Sequence, residues 1–185
     1  MTVDERAWGP LAHRVDDISA VGMRTGGGVL LEHVPFLVQV DVRLDAGLVG
    51  DAPFPLPTSP NTAWEEGLRA ALWLGPDEWL VLGPPGAGPA IMHELEAALG
   101  DLHRSIVDVS ANRVALELSG PRAKEVLSKG CPLDLHPRSW RAGMCAQTMV
   151  ARAQVILHER PTATGILVRP SFAEYLVDWL LDSSS

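Results

Sequence analysis

Residues 70–82 read Ala70-Ala71-Leu72-Trp73-Leu74-Gly75-Pro76-Asp77-Glu78-Trp79-Leu80-Val81-Leu82. Two apolar runs, Ala70–Leu74 and Glu78–Leu82, flank Gly75-Pro76-Asp77, and Pro76 has the fixed φ that suits the second position of a tight turn. The stretch predicts a β-hairpin. On its N-terminal side Phe36, Val38, Val40, Val42 and Leu44 alternate with Leu37, Gln39, Asp41, Arg43 and Asp45, the period of a half-buried strand. Between these elements, residues 50–62 hold four prolines, which removes ladder donors and predicts an extended surface connection. On the C-terminal side the loop Gly83–Gly88 leads to Pro89, a favourable first helical residue. Ile91, Leu95, Ala98 and Leu99 then share one helical face, and Gly100 supplies the stop.

The same grammar recurs further on. Ile106–Val109 and Val114–Leu118 read as strands on either side of Ser110-Ala111-Asn112. Gly120-Pro121 opens a short helix carrying Ala123, Val126 and Leu127 and closed by Gly130. Residues 131–137 form a loop pinned by Pro132 and Pro137. Met144–Ala151, Val155–His158 and Gly165–Val168 read as three more strands. A final helix carries the capping-box pattern Ser171-x-x-Glu174 and the apolar stripe Phe172, Leu176, Trp179 and Leu180. Strands and helices mixed at short, irregular spacing predict an α+β fold of two small αβ subdomains with mixed or antiparallel sheets. The expected division is an N-terminal arm over 1–28 that depends on a partner, a subdomain over 29–103 and a second over 104–185. The arm has no periodicity, contains Gly26-Gly27-Gly28, and offers Trp8 as an anchor.

Composition narrows the function. With 185 residues, 46% hydrophobic and 21% charged, the chain is long enough to bury a core. Lys and Arg total 15 against 23 Asp and Glu, a net charge of −8, so no nucleic-acid partner is expected. The acidic, polar start Met1–Arg6 is not a secretory signal, and the apolar runs are strand-sized, so no membrane span is expected. Cys131 and Cys145 lack C-x-x-C spacing, which points to a reduced, cytoplasmic protein without a zinc or dithiol site.

The search for chemistry returns structural readings. Gly83–Gly88 is not followed by Lys-Ser/Thr, and its prolines lack the amides of a phosphate cradle; Gly26–Gly28 lacks the G-x-G-x-x-G spacing. The histidines at 13, 33, 93, 103, 136 and 158 show neither H-x-x-x-H nor H-E-x-x-H. His136 stands out only because prolines hold its loop. Cys131 follows a helix end, where the dipole disfavours a thiolate, and reads as a buried structural thiol. Asp108-Val109-Ser110 reads as turn chemistry, with Asp and Ser bonding nearby amides. Trp8, Trp64 and Trp140 lie in aperiodic segments and serve equally as interface anchors or as caps on small cores. No catalytic, cofactor-binding or metal-binding residue is assigned.

Several runs carry a family resemblance. Val107-Asp108-Val109-Ser110-Ala111-Asn112-Arg113, Leu118-Ser119-Gly120-Pro121-Arg122 and Lys129-Gly130-Cys131-Pro132-Leu133-Asp134-Leu135-His136-Pro137 resemble the gamma subunits of heterotetrameric sarcosine oxidases. So do Cys145-Ala146-Gln147-Thr148, Ala153-Gln154-Val155-Ile156-Leu157 and Arg169-Pro170-Ser171-Phe172-Ala173-Glu174-Tyr175. Trp73–Leu80 and Pro10-Leu11-Ala12-His13-Arg14 extend the resemblance, and residues 14–65 carry least of it. The resemblance implies a fold similar to the folate-binding aminomethyltransferase (T-protein) and the N-terminal domain of tRNA-modification GTPases. It implies alpha, beta and delta subunits as partners, with FAD, FMN, NAD and tetrahydrofolate in the alpha and beta subunits and no cofactor in this chain. The implied reaction is oxidative demethylation of sarcosine to glycine with hydrogen peroxide, the one-carbon unit leaving as formaldehyde or methylene-tetrahydrofolate. A folate-dependent aminomethyltransferase-like protein and the gamma subunit of an oxidase for another N-methyl amino acid are the alternative readings.

Overall fold

The computed structural model describes residues 9–185. They carry ten strands, β1 (Leu30–Val34), β2 (Val38–Leu44), β3 (Ala63–Glu66), β4 (Arg69–Gly75), β5 (Glu78–Gly83), β6 (Arg104–Asp108), β7 (Val114–Ser119), β8 (Met144–Val150), β9 (Ala153–Glu159) and β10 (Ala163–Val168). The α-helices are α1 (Val15–Arg24), α2 (Gly88–Leu99), α3 (Ala123–Ser128) and α4 (Pro170–Ser183). The strands form two five-stranded sheets, ordered β1-β7-β10-β9-β8 and β3-β4-β5-β2-β6. The β1–β7, β7–β10, β10–β9, β3–β4, β4–β5, β5–β2 and β2–β6 pairs are antiparallel. The expected α+β class of two antiparallel-sheet subdomains is what the chain adopts.

The two compact units are interleaved along the sequence. Among the described residues, the first comprises 9–35, 112–142 and 147–185, and the second 36–111 and 143–146. This corrects the expected division at 103/104. β6 pairs with β2, so residues 104–111 stay with the preceding segment. β1 pairs with β7, so residues 29–35 belong to the following one. The strands on either side of 110–112 therefore do not pair with each other; a 3-10 turn, Ser110–Asn112, sends them to different sheets.

In the second unit the hairpin forms as expected, Trp73 facing Trp79, with a bulge between Trp73 and Gly75. Val38, Val40, Val42 and Leu44 of β2 join Trp79, Val81, Ile91, Leu95 and Leu99 in one buried cluster. Ala98 lies outside that face, exposed. The proline-rich connection stays out of both sheets yet is not purely superficial. It inserts Phe54 and Leu56 into the core, and Pro57 O accepts the indole N–H of Trp79 at 2.7 Å. The ring of Phe54 stacks on Trp64 at 5.8 Å, so Trp64 caps this core.

In the first unit α1 packs on β1, α4 on β9, and α3 against α4. Residues 9–28 are integral here, which corrects the expectation that the arm makes few contacts with its own chain. Leu11, Ile18 and Val21 are buried, and Arg14 of the leading turn donates to Asp178 on α4 at 2.7 Å. The part of the arm carrying Trp8 lies outside the described residues. The C-terminal helix departs from its capping-box reading. Its N-cap is Arg169, Pro170 holds the first turn, and no side chain caps an amide. The buried face is Ala173, Leu176, Val177 and Leu180, leaving Phe172 exposed.

Candidate functional site

Within the run Lys129–Pro137, Cys131 and residues 133–137 line a cleft of the first unit. α3, this loop and the β9–β10 turn enclose about 730 Å³. The loop is self-bonded: the Asp134 carboxylate accepts the His136 amide at 3.0 Å and the Ser139 hydroxyl at 2.6 Å. The Ser139 hydroxyl, then the His136 amide, hold the Asp134 carboxyl below the usual carboxylate range. His136 is exposed, and its Nδ1 accepts the Arg138 amide at 3.2 Å. Both prolines and these bonds fix the loop.

The cleft floor holds the one buried carboxylate system among the described residues in which three side chains converge. Glu159, whose side chain is 7% exposed, meets Lys124 Nζ at 2.7 Å through Oε1. Its Oε2 accepts Trp140 Nε1–H and Thr164 Oγ1–H, each at 2.7 Å. Lys124 also reaches Trp140 O at 3.4 Å. A buried charge is tolerated only when paired and hydrogen-bonded, and Glu159 meets both conditions. With both oxygens occupied, this carboxylate ties α3, the 131–140 loop and β10 together. Trp140 is thereby a core cap. Its indole, and Lys124 and Glu159 themselves, carried no motif signal; only the lone Glu after the apolar run Val155–His158 hints at a buried charge.

The remaining residues singled out in the sequence are dispersed. Cys131 is buried at the cleft wall. Cys145 is fully buried in the second unit, its thiol donating toward Thr62 O at 3.2 Å and Trp73 O at 3.4 Å. Burial pushes that thiol up to about 11, so it stays protonated at neutral pH. Asp108 and Ser110 perform turn chemistry: Asp108 Oδ1 accepts the Ser110 amide at 2.9 Å and hydroxyl at 2.6 Å, while Ser110 Oγ accepts the Gln39 amide at 3.0 Å. His13 pairs with Glu174 at 3.3 Å in the open. His33 is half-buried beside Val15, Ile18 and Pro35, and burial lowers its basicity. His93 and His103 are exposed, and His158 is buried. Among the described residues, no three His, Cys, Asp or Glu side chains gather as a metal site.

The Gly83–Gly88 loop does not fit a cofactor phosphate. Pro84, Pro85 and Pro89 lack N–H groups, and a Cβ at Gly88 would stand 3.4 Å from Asp108 Oδ2. A carboxylate already occupies the space at the start of α2, and it repels an anion. No helix among the described residues is long and apolar enough to cross a membrane.

Comparison with known proteins gives this arrangement a family. Residues 54–185 match the model of the sarcosine oxidase, gamma subunit family. The sarcosine oxidase subunit gamma of Corynebacterium sp. (strain P-1) is 41% identical over 169 residues, covering 87% of this chain and 82% of that protein. Its counterpart from Corynebacterium sp. (strain U-96) is 35% identical over 184 residues, covering 95% and 89%. A chain of the heterotetrameric sarcosine oxidase from Corynebacterium sp. U-96, solved in complex with pyrrole 2-carboxylate, superposes with a TM-score of 0.84 at 35% identity, covering 95% of this chain and 93% of that one. The glycine cleavage system aminomethyltransferase T of Bartonella henselae shares the fold, with a TM-score of 0.72 at 14% identity over 95% of this chain and 57% of that chain. On the family model and on this two-sided similarity, the chain belongs to the sarcosine oxidase gamma subunit family.

Proposed function

We propose that this chain is the gamma subunit of a heterotetrameric sarcosine oxidase and acts there by assembly, holding larger subunits in register. The observation that carries the reading is similarity spanning both chains: 35% identity and a TM-score of 0.84 across 93% of a chain of such a complex. The chemistry of the site supports it. The most buried carboxylate of the cleft is consumed by three internal partners, and the cysteines are buried. Amine oxidation needs an electron acceptor, which a bound flavin supplies. We assign FAD, FMN, NAD and tetrahydrofolate to the alpha and beta subunits, name alpha, beta and delta as the partners, and place the complex in the cytoplasm. The assembled enzyme converts sarcosine, oxygen and water to glycine, formaldehyde and hydrogen peroxide, or passes the one-carbon unit to tetrahydrofolate. The aminomethyltransferase likeness, at 14% identity, speaks for the fold alone.

The test is co-expression of a tagged copy with the three other subunits, followed by affinity capture. Recovery of a yellow complex containing all four chains is expected. Capture of this chain alone, from cells that make the other three in folded form, would overturn the reading.

A further inference from the structure

The C-terminal helix keeps two rows of side chains out of the core of the first unit. Phe172, Tyr175 and Trp179, at i, i+3 and i+7 of α4, form one row; Glu174, Asp178 and Asp182, at i, i+4 and i+8, form the next. Phe172 and Tyr175 are 42% and 38% exposed and meet edge to face at 6.4 Å. Trp179 closes that row half-buried, turned toward Gly130. Compensation of the acidic row is uneven along the helix. Glu174 pairs with His13 at 3.3 Å. Asp178 accepts from Arg14 Nη2 at 2.7 Å, a guanidinium whose Nε also donates to Asp17 at 2.9 Å. Asp182 is exposed and has no ion-pair partner among the described residues. It stands in the last turn of α4, where the backbone carbonyls make the helix dipole negative and disfavour a carboxylate. The cation that reaches this end, Lys129, donates to Ser183 O at 2.6 Å rather than to Asp182. An exposed aromatic pair and an uncompensated carboxylate therefore share one side of α4, two turns or about 10 Å apart along its axis.

We propose that this side of α4 seats a basic segment of a neighbouring subunit, with an apolar side chain of that segment on Phe172 and Tyr175 and a cationic one at Asp182. The inference rests on the assembly role proposed above and names the surface and the charge of what it grips. Charge complementarity decides the occupant. A wholly apolar partner would bury Asp182 unpaired, at a cost, and an acidic one would be repelled by the carboxylate row. A cation there pairs with the carboxylate and offsets the negative helix end together. Exposed aromatic rings beside the pair supply the area that anchors an interface.

The test is retention of the partner subunits by the tagged chain in the co-expressed complex, washed at increasing NaCl. Asp182→Lys is expected to weaken retention at least about tenfold, and Asp182→Asn about threefold with a flatter salt dependence. Tyr175→Ser is expected to weaken it about tenfold with the salt dependence kept. Thermal unfolding of the isolated chain separates binding from folding. A lysine at the last turn suits the helix dipole, so Asp182→Lys is expected to unfold no earlier than wild type. Earlier unfolding would mark Asp182 as a structural residue and overturn the proposal. Undiminished retention by Asp182→Lys overturns it too, even if Tyr175→Ser is lost, because the partner is then apolar without the cation. Glu96→Lys, the same charge change at an exposed position on α2, is expected to change nothing. A loss there equal to that of Asp182→Lys would mark a general charge effect and overturn the proposal. Sedimentation of the isolated chain supplies the other arm: a dimer that Tyr175→Ser abolishes, with normal assembly of that variant, marks a contact between copies and overturns it. A wild-type chain that captures no partner fails the assembly reading itself, whatever the α4 variants do.

Discussion

Glu159 is a buried charge of the first unit, held by three side-chain partners. Removing a partner leaves a buried charge short of compensation, so the cost exceeds that of an ordinary surface pair. Trp140→Phe deletes the indole donor and part of the buried ring volume, and is expected to cost about 2–3 kcal/mol. Lys124→Met is expected to cost about 2 kcal/mol, below the full buried-pair value because Lys124 is 36% exposed and part of its charge is screened by water. Urea unfolding of the isolated chain checks both. Cys145 gives a pH prediction. Its thiol titrates at about 11 in the fold against 9.0 without it, so the folded state holds the proton more tightly. The stability this contributes is fully present below pH 9 and is lost as pH rises from 9 toward 11. Cys145→Ala is expected to flatten that alkaline decline in the unfolding midpoint, and an unchanged decline would contradict it. At this scale the sequence is readable where a residue's neighbours along the chain decide its role. Asp108 and Ser110 form the turn their spacing suggests, because their partners lie within two residues or on the paired strand. Glu159 is not readable, since Lys124 and Trp140 come to it from 35 and 19 positions upstream.

At the scale of elements, periodicity exposes the strands and hides their partners. The alternation over 36–45 and the hairpin at 70–82 become β2, β4 and β5, with Val38, Val40, Val42 and Leu44 buried as expected. Phe36, expected on that face, instead precedes β2 at φ +57° and is exposed, and Gln39 is buried. Ile106–Val109 and Val114–Leu118 also become strands, but in different sheets, because pairing depends on which edge is open and not on local pattern. The last helix shows the same division. Its Ser171-x-x-Glu174 pattern forms no cap because Pro170 starts the helix one residue earlier, placing Ser171 inside the first turn. Ser171→Ala is accordingly expected to change stability by less than about 0.5 kcal/mol, where a true cap would cost about 1 kcal/mol. Gly130 is the opposite case. A Cβ there would stand 2.5 Å from Trp179 Cζ2 and 2.9 Å from the Ala151 amide, which donates to Gly130 O. Gly130→Ala is expected to cost about 2–3 kcal/mol through overpacking between α3 and α4, measured by thermal unfolding. Gly120, with φ +100° and the Gly28 carbonyl 2.7 Å from a Cβ, carries the same constraint where the chain meets residues 28–29.

For the whole molecule, the family resemblance covers most of the chain beyond residue 70. What sequence order conceals is the interleaving of the two units, since a contiguous reading cannot show that residues 29–35 pair with β7 across more than 80 positions. The proposed role of this chain is architecture and not redox chemistry. Its most direct test is peroxide release from sarcosine and oxygen, measured for the purified chain, for the other three subunits together, and for all four. No peroxide and no flavin absorbance are expected from the chain alone, and full turnover only when it joins the other three. Peroxide or bound flavin in the chain alone would contradict it, as would undiminished, stable turnover by the three subunits without it.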